Sequence, residues 1–196
     1  TDVAFRNVGA TRAAQQVVAS AIDGRPIAVP SLDLHTIGCG GGSLVHVDSG
    51  GVLHVGPRSA GAVPGPVCYG AGLVPTITDA HVLLGHVATG AFVAGRVELD
   101  VDAVARAFEK LARKLGTTPL EAAQATLDVA RAAMRRALAT MTMQRGEDPA
   151  RTPLVAFGGA GGLHAAALAA SLGMPCALVP RGPGVLSALG MATANA

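Results

Sequence analysis

The chain has 196 residues, half of them hydrophobic and only 14% charged, with a formal net charge of +2; this describes a folded protein with a sizeable core and excludes a disordered one. Four Phe, one Tyr and no Trp, with Arg131, Arg135 and Arg136 as the densest basic cluster, offer no stacking surface for nucleic acid. Cys39, Cys68 and Cys176 lie far apart without CxxC spacing and read as reduced thiols, and no apolar run reaches the roughly 20 residues of a membrane span.

From the start of the chain, Val3 to Val8 suits a strand. Thr11 to Ala21 is a polar-apolar segment ending in the turn Asp23 to Pro26, and Ile27 to Val29 suits another strand. The opening TDVAF without a methionine suggests a segment cut from a longer sequence, and no charged lead before an apolar core marks a signal peptide. A cytoplasmic location is the default expectation.

Gly38, Gly40, Gly41 and Gly42 then form a first glycine cluster. Leu44 to Val47 and Val52 to Val55 alternate on either side of Asp48-Ser49-Gly50-Gly51, the pattern of a β-hairpin. That pairing sets His46 across from His54 on a solvated face, where a metal pair would lack a third ligand. Residues 56 to 80 are small, apolar and rich in proline and glycine, as in an ordered loop packed on the domain, and Asp79 suits the cap of a following helix.

Asp100 caps a predicted helix with Val101, Val104, Phe108, Leu111 and Leu115 on one face and Gly116 at its end. Thr118, Pro119 and Glu121 supply the N-cap, first-turn proline and capping-box acid of a long helix reaching about Arg145, with Leu127, Ala130, Met134, Leu138 and Met141 as its core stripe.

The final third holds the organising stretch. Leu154 to Phe157 is an apolar run suited to a strand buried on both faces. Gly158, Gly159, Ala160, Gly161 and Gly162 follow, and a helix from Leu163 to Leu172 closes at Gly173. Such a turn lets a ligand approach helix-terminal amides, which favour an anion, but glycine there also serves tight packing; both readings fit. Cys176 to Val179 is a further strand, Pro180 to Gly184 a turn, and a short helix follows from Val185. Strands alternating with helices predict an α/β sheet with helices packed on it.

Among single residues, Asp33 and His35 share one side of an extended segment, fit either to touch a ligand or to brace the glycine loop. Ser43 has no neighbouring base and reads as a loop hydrogen bond rather than a nucleophile. His164 suits either a backbone bond or a functional role.

The segments DLHTIGCGGGS (33 to 43), VGPRSAGAVPGPVCYG (55 to 70), TITDAHVLLG (76 to 85), LVAFGGAGGLHA (154 to 165) and PGVLSALG (183 to 190) together closely resemble the A-type subunit of the hydantoinase/oxoprolinase family. The resemblance implies an actin-like, sugar-kinase-like ATPase fold with a mixed sheet, residues 1–196 forming its second lobe without the N-terminal one. It implies ATP with Mg2+ as cofactor and phosphorylation of a carbonyl or amide oxygen, for ring opening of a small cyclic amide or for ketone carboxylation as in the β-type carboxylase subunits. Carried over, Gly158, Gly159, Ala160 and Gly161 border the nucleotide, and Gly40, Gly41, Gly42 and Ser43 lie near the phosphates or the cleft. Thr1 and Asp2 match the end of the phosphate-binding segment GGTSTD, so Asp2 joins Asp33 and His35 as a catalytic candidate. The implied partners are the N-terminal lobe and a B-type subunit, with neither nucleic acid nor a membrane; a non-catalytic module docking that subunit is the rival reading. Four positions depart from the family pattern: Cys39 for alanine, Val63 for aspartate, His81 for asparagine and Gly162 for proline. The Cys39 change reads as packing.

Overall fold

The computed structural model of the chain describes residues 2–4, 21–22, 25–26, 34–89 and 98–193. Strand β1 (Asp2–Ala4) pairs antiparallel with β4 (Leu34–Thr36), and β2 (Ala21–Ile22) with β3 (Arg25–Pro26). The predicted strand at Ile27 to Val29 and the segment Thr11 to Ser20 lie outside the described residues, as do Thr1 and Asp33.

The predicted hairpin forms from β5 (Ser43–Val47) and β6 (Leu53–Ser59), with His46 opposite His54 and their rings stacked 5.2 Å apart. Asp48 makes the turn, accepting from the amides of Gly50 and Val52 at 2.9 Å and meeting His54 Nε2 at 2.7 Å.

Helices supply most of the core. Helix α2 (Val101–Leu115) starts where Asp100 accepts from the Ala103 amide at 2.7 Å and stops at Gly116, whose φ of +67° suits a residue without a Cβ. Helix α3 (Pro119–Gln144) has the predicted capping box between Thr118 and Glu121. The stripes face inward: Val104, Phe108, Leu127 and Ala130 are fully buried, whereas Val101, at the first turn of α2, is exposed. Helix α1 (Ile77–Leu83) packs on α2 and α3 and closes a core that includes Val45 and Cys68.

The cap of α1 differs from the expected one. Thr76 is the N-cap, and Asp79 completes a capping box with it from inside the helix. Fully buried, the Asp79 carboxylate also accepts from the amides of Val67 at 3.1 Å and Cys68 at 2.8 Å, besides the Thr76 amide and hydroxyl, both at 2.8 Å. It thereby fixes the 3-10 turn Val67–Tyr69 of the proline-rich loop against the helix start.

Strand β7 (Leu154–Val155) leads through the glycine turn to α4 (Gly161–Ser171), and β8 (Ala177–Leu178) returns parallel to β7; α5 (Leu186–Thr193) ends the description. The expected single mixed sheet is not what the described residues form: they hold four separate two-stranded ladders. Nor is the run Leu154 to Phe157 buried on both faces, since Val155, Phe157, Leu178 and Val179 are each about half exposed. Leu154 packs against the core, but no described element covers the opposite face of the parallel pair. Among the described residues, no helix is long and apolar enough to cross a membrane.

Replacing Asp79 by alanine strands the buried amides of Val67, Cys68 and Thr76 without that acceptor, so a loss of about 3 kcal/mol or more is expected in urea denaturation; a loss below about 1 kcal/mol contradicts the role given to Asp79. A second test compares two glycines with positive φ. A Cβ on Gly56 (φ +71°) would collide with the Gly38 carbonyl oxygen, whereas one on Gly51 (φ +81°) meets nothing within 4 Å among the described residues. Gly51→Ala therefore loses about 1 to 2 kcal/mol for its backbone alone, and Gly56→Ala measurably more; equal losses contradict the packing described.

Candidate functional site

The first glycine loop continues directly from β4. It is closed reciprocally by Ser43, whose amide donates to the Gly40 carbonyl at 2.8 Å while its hydroxyl oxygen accepts from the Gly40 amide at 2.9 Å. Ser43 is buried and occupied in this way, the loop role expected of it. The start of α1 holds the loop from outside: both the amide and the hydroxyl of Thr78 donate to the Gly41 carbonyl at 2.9 Å. Close packing surrounds Gly38, Gly41 and Gly42 of this loop. A side-chain carbon would lie 2.9 Å from Pro57 Cβ at Gly38, 2.9 Å from Thr78 Oγ1 at Gly41 and 2.9 Å from Ser59 Oγ at Gly42. Cys39 turns inward and packs on α3, its thiol 3.9 Å from the Ala130 carbonyl, in agreement with a packing role.

The second loop follows the other rule. Gly158, with φ +90°, donates its amide to the Pro183 carbonyl at 2.8 Å, and a Cβ on Gly158 or Gly159 would meet nothing within 4 Å. Open space, not close packing, surrounds these glycines. Side chains cap α1, α2 and α3, but Ala160 at the N-cap of α4 offers none, so no side chain takes the first-turn amides of that helix. At Gly162 a Cβ would make ordinary contact with Val179; the position lies in the first turn of α4, where the family's proline is also tolerated.

The two loops meet. A Cβ on Gly41 would lie 3.4 Å from the Ala160 Cβ, so the two loops approach each other at Gly41 and Ala160 although more than a hundred residues separate them in sequence. Sequence reasoning missed the residue that organises this junction, Thr78. The spacing of Thr76 and Asp79 in TITDA signals the cap, but nothing local marks Thr78 for a loop 37 residues away.

The catalytic candidates do not converge in the same way. Asp2 lies opposite Thr36, whose hydroxyl donates to it at 2.7 Å, and His35 lies opposite Val3. Adjacent positions on a pleated strand face opposite sides, so Asp2 and His35 project from opposite faces of this ladder, both exposed. Val63 is also exposed, on the proline-rich loop.

Behind the glycine junction lies a line of three histidines. His81 Nδ1 is 3.0 Å from His86 Nδ1, and His81 Nε2 is 3.4 Å from His164 Nε2. His81 and His164 are buried and His86 is exposed. Burial, then the neighbouring His164, His86 and Arg131, pushes His81 down to about 3; burial, then Arg131 and His86, pushes His164 down to about 4. Both rings are therefore neutral at physiological pH. Burial likewise raises the thiols of Cys39 and Cys68, which makes them poor nucleophiles. Among the described residues no group of three or more His, Cys, Asp or Glu side chains is arranged to hold a metal ion. A surface concavity is lined by Glu98 to Asp102 at the start of α2, none of them a glycine-loop residue.

The chain is similar to several known proteins. The alpha subunit of caprolactamase from Pseudomonas jessenii is 42% identical over 166 residues, 84% of this chain and 24% of that protein. The crystal structure of the ATP-dependent caprolactamase from the same organism superposes with a TM-score of 0.77 at 41% identity, covering 84% of this chain and 24% of that one. Nucleotide-free acetone carboxylase superposes with a TM-score of 0.83 at 28% identity, covering 90% of this chain and 25% of that one. The 5-oxoprolinase 1 of Arabidopsis thaliana is 39% identical over 198 residues, 92% of this chain and 16% of that protein. The chain thus spans a quarter or less of the length of these relatives. The family model described as Hydantoinase/oxoprolinase matches residues 1–196 from end to end, and the chain belongs to that family.

Proposed function

We propose that the surface where the two glycine loops meet is one wall of an ATP site, in a protein that phosphorylates the carbonyl or amide oxygen of a cyclic amide so that its ring opens. The observation that carries this reading is the approach of Gly41 to Ala160 beside the open space over Gly158 and Gly159. Phosphates are held more by backbone amides and Mg2+ than by acid and base side chains, and the uncapped first turn of α4 supplies such amides beside the positive end of a helix. The residues present fit the nucleotide. Gly159, Ala160 and Gly161 would border it, while Thr78 and Ser43 keep the first loop in place. ATP supplies the phosphoryl group that turns an amide oxygen into a better leaving group and its carbon into a better electrophile. Mg2+ would ride on the phosphates and its own waters, as that ion prefers, rather than in a cage of side chains; Asp2 is the exposed carboxylate proposed to help.

The lobe is proposed to be actin-like, with the rest of the cleft contributed by further polypeptide, the N-terminal lobe of the same subunit, and with a B-type subunit as partner. The exposed side of the β7–β8 pair supports this, because parallel strands are ordinarily covered on both faces. One wall alone loses proximity and orientation, so little catalysis is expected of this chain by itself. Carboxylation of a ketone is the second reading, favoured by the TM-score of 0.83 with acetone carboxylase.

Calorimetric titration with MgATP tests the proposal. Weak binding is expected for the chain alone and clear binding after addition of the N-terminal half of a related A-type subunit. Gly159→Val is expected to weaken that binding at least about tenfold while leaving thermal unfolding unchanged, since a Cβ at 159 meets nothing within 4 Å among the described residues. Absence of binding in the mixture, or equal binding by the variant, would overturn the assignment.

A further inference from the structure

Helices α1 and α4, which adjoin the two glycine loops, meet through a polar seam. Helix α1 holds the first loop through Thr78, and α4 begins at the second. Side chains of these helices meet at His81 Nε2 and His164 Nε2, 3.4 Å apart with rings edge to face, and His86 extends the line from His81 to the exposed side. At the far end His164 Nδ1 is buried with no hydrogen-bond partner. In a neutral line each imidazole has one N–H, so His81 donates to one neighbour and accepts from the other. Every bond in the line can then be satisfied.

The basic groups that act on the seam disfavour a further positive charge. Arg131 of α3 acts on both buried rings, and His86 acts from the turn after α1. The charged side chains of α2 (Asp102, Arg106, Glu109, Lys110, Arg113 and Lys114) lie on its exposed face, as does His46 on β5. Asp79 is already committed to four bonds at the start of α1.

We infer that His81 is a positioning residue whose neutral contact with His164 sets the spacing of the two glycine loops, and that protonation of this seam separates them and weakens ligand binding at acid pH. The inference rests on the reading of those loops as a ligand wall. Its sign follows from linkage. Both rings have folded pKa values below the unfolded value of about 6.5, so their neutral forms contribute stability that is complete above that pH. That contribution declines as pH falls from about 6.5 towards about 4, by up to about tenfold in the opening equilibrium per pH unit for each histidine. An asparagine at position 81 would lack this titration and leave only the share of His164.

Amide hydrogen exchange of the chain, corrected for intrinsic rates and followed from pH 7.5 to 5, tests the inference by comparing residues 38–43 and 158–163 with the α3 core around Leu127. The expected result is that both loops lose protection together, by more than about tenfold between pH 6.5 and 5.5, through openings that cost less than those of the α3 core at each pH. In His81→Asn the loss should shrink to the share of His164, and in the exposed-end control His86→Gln it should persist. Loops that lose protection separately from each other, or identically in wild type and His81→Asn, would overturn the inference. The underlying ligand reading fails separately, by loop amides that ignore MgATP at pH 8.

Discussion

The buried carboxylate of Asp79 is the interaction on which the rest of the arrangement depends. Four donors converge on it, three of them backbone amides from two separate segments. A buried charge persists only where hydrogen bonds replace its hydration, and here those bonds lock the proline-rich loop onto the first turn of α1. That turn also carries Thr78, which holds the Gly41 carbonyl twice. The position of the first glycine loop is therefore inherited from a carboxylate that touches none of its residues. The α2–α3 pair gives this assembly its apolar floor, with Phe108 and Leu127 fully buried beneath α1.

Glycine serves two different ends in the two loops. At Gly38, Gly41 and Gly42 a side chain would collide with Pro57, Thr78 or Ser59, so absence of a Cβ permits close packing within the protein. At Gly158 and Gly159 a side chain would collide with nothing, so absence of a Cβ leaves room for something outside it. The first loop is a fixed wall and the second an accessible one. Their approach at Gly41 and Ala160 sets them side by side, as the proposed single surface requires.

Much of this was legible in the sequence where local chemistry decides structure. The capping box at Thr118 and Glu121, the stop at Gly116 and the hairpin at Asp48 to Gly51 each form where the residues indicate, because each depends on neighbours within a few positions. Less was legible where distant segments decide. Asp79 reads locally as a cap, yet two of its donors, Val67 and Cys68, come from eleven or twelve residues earlier. Thr78 gives no local sign that it holds a loop 37 residues away. Asp2 and His35 resemble a pair of candidates, but the β1–β4 register turns them to opposite faces. The run Leu154 to Phe157 reads as a strand buried on both faces, and its outward side is open because burial depends on what lies across the sheet.

The central claim is that the two glycine loops act as a single ligand surface. Its most direct test is a proton–nitrogen NMR titration of the chain with a non-hydrolysable ATP analogue and Mg2+, which detects binding even when one wall alone binds weakly. The amides of Gly40 to Ser43 and of Gly159 to Gly162 should shift together along one saturation curve. Shifts confined to one loop, or centred on Glu98 to Asp102 at the start of α2, would contradict the claim.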